Sequence, residues 1–196
     1  MRTAILISGR GSNMVSLLAG MAAPGFPAQP VLVLSNRADA QGLSRTGDVP
    51  TAVVESRGRT RENFEAALDA RLREAGVEFI ALAGFLRVLT EGFVRRWEGR
   101  MINIHPSLLP SFKGLDTHAR ALAAGVKIHG CTVHWVSAGV DEGRIIAQAA
   151  VPVLADDTEA SLAARVLDQE HALYPRALAV ALGATQPAST GALVGF

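Results

Sequence analysis

Five short apolar runs recur through the first half of the chain, and their alternation with helix-like stretches limits the fold more than any other feature. The runs are Thr3–Ser8, Val31–Ser35, Thr51–Glu55, Glu78–Ala83 and Met101–His105. Asn13–Ala23 reads as a helix that Pro24-Gly25 ends. Thr60–Ala75 reads as a stronger one. Its Phe64, Ala67, Leu68, Leu72 and Ala75 share one stripe, charges cover the other side, and Gly76 stops it. Continuous apolar strands alternating with helices predict a parallel sheet covered on both faces. After residue 126 the pattern changes. Lys127–Val136 and Arg144–Val153 are β runs joined by the short segment Ser137–Gly143, which predicts an antiparallel pair. Asp156-Asp157-Thr158 then caps a helix starting near Thr158, and Pro175 is expected to kink or end its first part. The fold class is therefore α/β: a single-domain, mostly parallel twisted sheet of about seven strands, with an antiparallel segment toward the C-terminus.

Length supports one domain, since 196 residues leave little for a second. Residues 1–184 are expected to form it. The segment 185–196, rich in small residues, Gly and Pro, is expected to be a mobile tail. Nineteen basic residues against 18 acidic ones give a net charge of +1, far from the excess a nucleic-acid binder carries. The single cysteine, Cys131, excludes a disulfide framework and a multi-cysteine zinc site. Met14–Asn36 carries no charge and is long enough to span a bilayer, but Pro24, Gly25, Pro27 and Pro30 break it into helix, turn and strand. The apolar start is too short for a signal peptide. The expectation is a cytoplasmic protein that binds neither membrane nor nucleic acid.

Ser8-Gly9-Arg10-Gly11-Ser12-Asn13 lies between the first strand and the first helix. Glycines there let backbone N–H groups approach an anion, and the helix dipole favours negative charge. The segment is not a dinucleotide fingerprint, because Met14 occupies the third glycine position, and it lacks the Lys of a Walker loop. Two readings stand side by side: a tight turn with an ordinary cap, or a site for one phosphate group.

The stretch Met101–Pro110, MINIHPSLLP, carries the strongest chemical signal. Period-two alternation puts Asn103 and His105 on one face, at the carboxyl end of a strand, where open α/β sheets bind ligands. An imidazole moves protons near neutral pH, and an amide N–H steadies a developing oxyanion. The competing reading is a structural histidine tying down a Pro-rich loop. A metal site is not expected. His129 and His134 are an odd number of residues apart on one strand and so face opposite ways. In Asp141-Glu142-Gly143 either a plain turn is present or one carboxylate reaches His105 and favours its charged form.

Taken together, Ser8-Gly9-x-Gly11-Ser12-Asn13, Ala83-Gly84-Phe85-Leu86-Arg87-Val88-Leu89, Asn103-x-His105-Pro106-Ser107-Leu108-Leu109-Pro110 and Asp141 resemble the phosphoribosylglycinamide formyltransferase family, folate enzymes of purine biosynthesis. The resemblance runs from about residue 2 to residue 180 and is supported by Ser35–Ala40, His129–His134 and Gln169–Pro175. It implies a Rossmann-like formyltransferase fold and transfer of a formyl group from 10-formyltetrahydrofolate to the amine of phosphoribosylglycinamide. It implies that Gly11, Ser12 and Asn13 hold the substrate phosphate and that Glu170 holds the ribose hydroxyls. It implies that Leu86, Arg87, Val88 and Leu89, with Ala138, Gly139, Val140 and Arg61, form the folate pocket. Asn103, His105 and Asp141 are the implied catalytic trio. The co-substrate is 10-formyltetrahydrofolate, no metal is called for, and the enzyme is a monomer or homodimer acting on small molecules. The chain departs from the family's Asp-Gly-Gly-Pro: it reads Asp141-Glu142-Gly143-Arg144, which puts an extra charge beside the folate pocket. Arg10 is read as facing solvent.

The same core is similar to that of methionyl-tRNA formyltransferase and formyltetrahydrofolate hydrolase. The first adds an RNA-binding domain, and none is expected here. The second usually adds an N-terminal regulatory domain and has no use for a phosphate turn. A folate- or phosphate-binding module without turnover, and a nicotinamide-dependent dehydrogenase, complete the alternatives.

Overall fold

The computed structural model describes residues 1–183, so the expected tail at 185–196 lies outside the described residues. Seven strands form one sheet: β1 (Arg2–Ile7), β2 (Gln29–Ser35), β3 (Thr51–Val53), β4 (Phe79–Leu82), β5 (Met101–His105), β6 (Ile128–Trp135) and β7 (Ile145–Pro152). Their order is β3-β2-β1-β4-β5-β6-β7. The first five run parallel, and β6 and β7 each pair antiparallel with their neighbour. The α/β class, the strand count and the antiparallel end thus agree with the expectation.

Alternation along the strands divides the core in two. Ile5, Ile7, Val33, Ala81, Ile102, Cys131 and Val133 pack on one face against α1 (Ser12–Met21) and the last helix. Ala4, Leu6, Leu32, Leu34, Ile80, Leu82 and Met101 pack on the other against α2 (Arg61–Glu74) and α3 (Glu91–Arg96). The predicted stripe of α2 is buried at Phe64, Leu68 and Leu72, each contributing about 1.5–3 kcal/mol. It also buries Glu65, which accepts from the Thr90 N–H and hydroxyl and so fixes the start of α3. Neither α3 nor α4 (Thr117–Ala123) is legible as a periodic apolar run, because both are too short to show one.

The last helix, α5 (Glu159–Ala181), starts with a capping box between Thr158 and Ser161, as the Asp-Asp-Thr signal predicts. Pro175 lies inside it, so of the two expected outcomes, a kink or an end, the end is excluded. A proline removes the N–H that would bond the carbonyl four residues earlier, here that of His171. Ser16 of α1 supplies the missing donor, its hydroxyl lying 2.5 Å from the His171 carbonyl. Gly20 of α1 makes room for the ring: a Cβ there would lie 2.5 Å from Pro175 Cβ. Tertiary contacts have replaced the lost helical bond. Among the described residues no helix is long and apolar enough to cross a membrane.

The order of strands places the site. From β1 the chain moves outward to β2 and β3, then returns to β4 and β5 on the other side of β1. The carboxyl ends of β1, β4 and β5 therefore surround a switch point, where loops diverge and leave a crevice.

Candidate active site

The glycine turn follows β1 directly. Gly11 is the N-cap of α1 at φ +72, a conformation open to glycine, and no side chain caps the helix. Gly42 crosses so closely that a Cβ on Gly11 would be 2.9 Å from the Gly42 Cα, and the Gly42 N–H donates to the Gly9 carbonyl at 2.9 Å. Neither Ser12 nor Asn13 serves as the cap. Instead Asn13 Nδ2 donates to Glu170 Oε2 at 2.6 Å, joining residues 157 apart in the chain. Glu170 is buried, which raises its pKa, while the bond from Asn13 opposes that rise. Gly11, Ser12, Asn13 and Glu170 thus form one cluster around a helix N-terminus whose first N–H groups are free for an anion. Arg10 is exposed, as read from the sequence.

One turn of α5 beyond Glu170, the buried Tyr174 hydroxyl donates to the Leu82 carbonyl at 2.8 Å, fixing the helix to the end of β4. The loop after β4 is held from β1. Ser8 Oγ accepts from the Leu86 N–H at 2.8 Å and donates to Asn36 Oδ1 at 2.6 Å. A cleft of ≈ 580 Å³ opens beside this bond, with Asn36, Arg37, Ser56, Leu86 and Arg87 among its walls. Leu86 and Val88 are exposed, Leu89 is buried, and Arg87 stacks 5.8 Å from the Phe64 ring. Across the crevice Ala138 and Val140 are exposed and Gly139 is half-buried. Arg61, the first residue of α2, is exposed and makes no side-chain hydrogen bond or ion pair among the described residues.

At the end of β5 the predicted trio converges. Asp141 Oδ2 lies 3.3 Å from His105 Nδ1 and accepts from the Gly114 N–H at 2.9 Å. His105 Nε2 lies 3.0 Å from the Phe112 carbonyl. A carbonyl and a carboxylate can only accept, so the doubly protonated ring satisfies both neighbours at once. Asp141 reaches this position from φ +54, in the left-handed region that side chains rarely adopt. Of the two acidic residues read as candidates in the sequence, Asp141 faces the imidazole, whereas Glu142 pairs with Lys113 at 2.9 Å.

His134 belongs to the same cluster, a place its sequence spacing alone does not reveal. It sits opposite Asn103 in the β5–β6 register. Its Nδ1 is 2.9 Å from the Trp135 carbonyl, which places the proton on Nδ1. Its Nε2 is then an acceptor for Asn103 Nδ2, at 3.3 Å. Burial lowers the His134 pKa, against the opposing effect of Asp141. One amide hydrogen of Asn103 is thus engaged and the other is free to point into the crevice. Only the cross-strand register reveals this role.

His129 faces the opposite side of β6, as its odd spacing requires. It packs against His118 with ring centroids 5.3 Å apart and against Phe112 at 5.9 Å. Among the described residues no group of three or more His, Cys, Asp or Glu could hold a metal ion.

Residues 1–178 match the model of the formyl transferase family. The chain is 46% identical over 194 residues to the trifunctional purine biosynthetic protein adenosine-3 of Gallus gallus, covering 97% of this chain and 19% of that protein. It thus spans about a fifth of that longer relative. It is 40% identical to the phosphoribosylglycinamide formyltransferase of Haemophilus influenzae, covering 89% of this chain and 84% of that one. The crystal structure of phosphoribosylglycinamide formyltransferase from Brucella melitensis superposes with a TM-score of 0.88 at 49% identity, covering 95% of this chain and 97% of that one.

Proposed function

The chain belongs to the formyl transferase family, and on that premise we propose that it transfers the formyl group of 10-formyltetrahydrofolate to the amine of 5-phosphoribosylglycinamide, a step of purine biosynthesis. The carrying observation is the approach of Asp141 to His105 at 3.3 Å, beside an amide oriented by His134. The Gly11–Asn13 N–H groups take the phosphate and Glu170 takes the ribose hydroxyls. Leu86, Arg87, Val88 and Leu89 hold the folate with Ala138, Gly139 and Val140. The exposed apolar side chains of Leu86, Val88 and Val140 suit a flat heteroaromatic ring. Arg61 is assigned to the folate side.

The amine attacks the formyl carbon, and the carbonyl electrons move onto oxygen. The free amide hydrogen of Asn103 and an N–H of His105 stabilise that oxyanion; His105 exchanges its bond to the Phe112 carbonyl for one to substrate. Asp141 holds His105 charged and helps pass the proton lost by the attacking nitrogen to the departing N10. Breakage of the N10–carbon bond then completes the transfer, with no covalent enzyme intermediate and no metal required.

The test follows 10-formyltetrahydrofolate spectrophotometrically, with and without phosphoribosylglycinamide. Consumption only with the amine is expected. Consumption that ignores the amine would replace the proposal with a hydrolase.

A further inference from the structure

Neither the fold nor the proposed transfer chemistry uses the charge of Glu142. Its Oε1 accepts from Lys113 Nζ at 2.9 Å, across 29 residues of chain. Lys113 lies in the loop after β5 and Glu142 in the loop after β6. The two residues beside them make a second tie between the same loops, Gly114 N–H to Asp141 Oδ2. One link is ionic and at the rim, and the other lies inside and includes the proposed catalytic carboxylate.

Each end of the ionic link is backed by further contacts. Arg120 of α4 donates to the carbonyls of Lys113 at 2.6 Å and Leu115 at 3.3 Å, which fixes the Lys113 backbone to a helix. The Glu142 carboxylate folds back over Gly139, into the space that a Cβ there would take. Between these ends Asp141 holds a left-handed backbone at φ +54, which relaxes unless neighbours over-determine it.

We propose that the Lys113–Glu142 ion pair is a strap across the mouth of the site that keeps Asp141 in its turn against His105, making Glu142 a positioning residue for formyl transfer. The inference rests on the reading that Asp141 and His105 perform that transfer. Both side chains are partly exposed, 40% and 56%, so salt screens the pair and its effect is modest, about three- to fivefold.

Steady-state kinetics of Glu142→Gln, Lys113→Gln and the exchange Lys113→Glu/Glu142→Lys, at low and at high salt, tests the strap. Each single variant should lose about three- to fivefold in kcat at low salt, with KM for the phosphoribosyl substrate unchanged. The exchange should recover most of the loss, and high salt should bring the wild type down toward the single variants. Single variants equal to the wild type at low salt, an exchange no better than either single variant, or a loss confined to KM would each overturn the strap. Absence of amine-dependent transfer in the wild type, or full activity of Asp141→Asn, would instead overturn the functional reading beneath it.

Discussion

The proposed phosphate side of the site and its proposed reacting side face the same carboxyl edge of the sheet but are built differently. At the glycine turn, the proposed binding group is the backbone itself. The left-handed residue is a glycine, and the partner Glu170 is carried by a 23-residue helix that Tyr174 anchors to β4. On the reacting side, left-handed backbone falls on Phe112, Asp116 and Asp141 as well as on Gly114, so it is not left to glycine alone, and two loops hold each other in place. Binding a phosphate requires a rigid cradle. Passing a proton requires side chains that can exchange partners, so the reacting side accepts strain and relies on reciprocal contacts.

The largest expected effect is on the reacting side alone. Replacing His105 by Asn should lower kcat by about 10³-fold while leaving binding of the phosphoribosyl substrate near its wild-type value, measured by calorimetry. A variant with unchanged turnover would remove His105 from the mechanism and collapse the distinction.

Acid should weaken the whole fold through a histidine on the far side of β6. His129 is buried, and neither ring nitrogen makes a hydrogen bond among the described residues. Burial, with His118 and His105 nearby, pushes its pKa down to about 4. In the unfolded chain it takes up a proton near pH 6.5. Its effect on stability is therefore nil above that pH and grows as pH falls from about 6.5 to 4, reaching about 3 kcal/mol. Urea melts at pH 8, 6 and 4.5 should show this slope in the wild type and a shallower one in His129→Gln. Equal slopes would assign the acid loss elsewhere.

The smallest effect probes the rigid side. Gly11→Ala forces a left-handed alanine against the Gly42 backbone and should cost about 2 kcal/mol in thermal stability. KM for the phosphoribosyl substrate should rise severalfold with kcat little changed. A fall in kcat with constant KM would show that the turn serves the chemistry rather than the phosphate.

Much of this was legible along the chain. All seven strands and α1, α2 and α5 appear as runs or stripes, because burial on a sheet face or against one imposes a periodicity of its own. Asn103 and His105 stood out because two polar residues share one face of a strand that should be apolar. That the helix continues past Pro175 was not legible, because the donor that replaces the lost bond, Ser16, belongs to another element. His134 was legible as a residue but not as a partner of Asn103, since register depends on how two strands align.

The layered α/β fold, the glycine turn after β1 and the polar end of β5 are each written in residues close together along the chain. Which carboxylate meets the imidazole, what Glu142 does with its charge, and how Asn13 finds Glu170 across 157 residues follow from the folded chain alone. Periodicity and turn chemistry are local. A hydrogen bond between distant residues depends on where packing brings whole elements, to within an ångström, and no local pattern carries that distance.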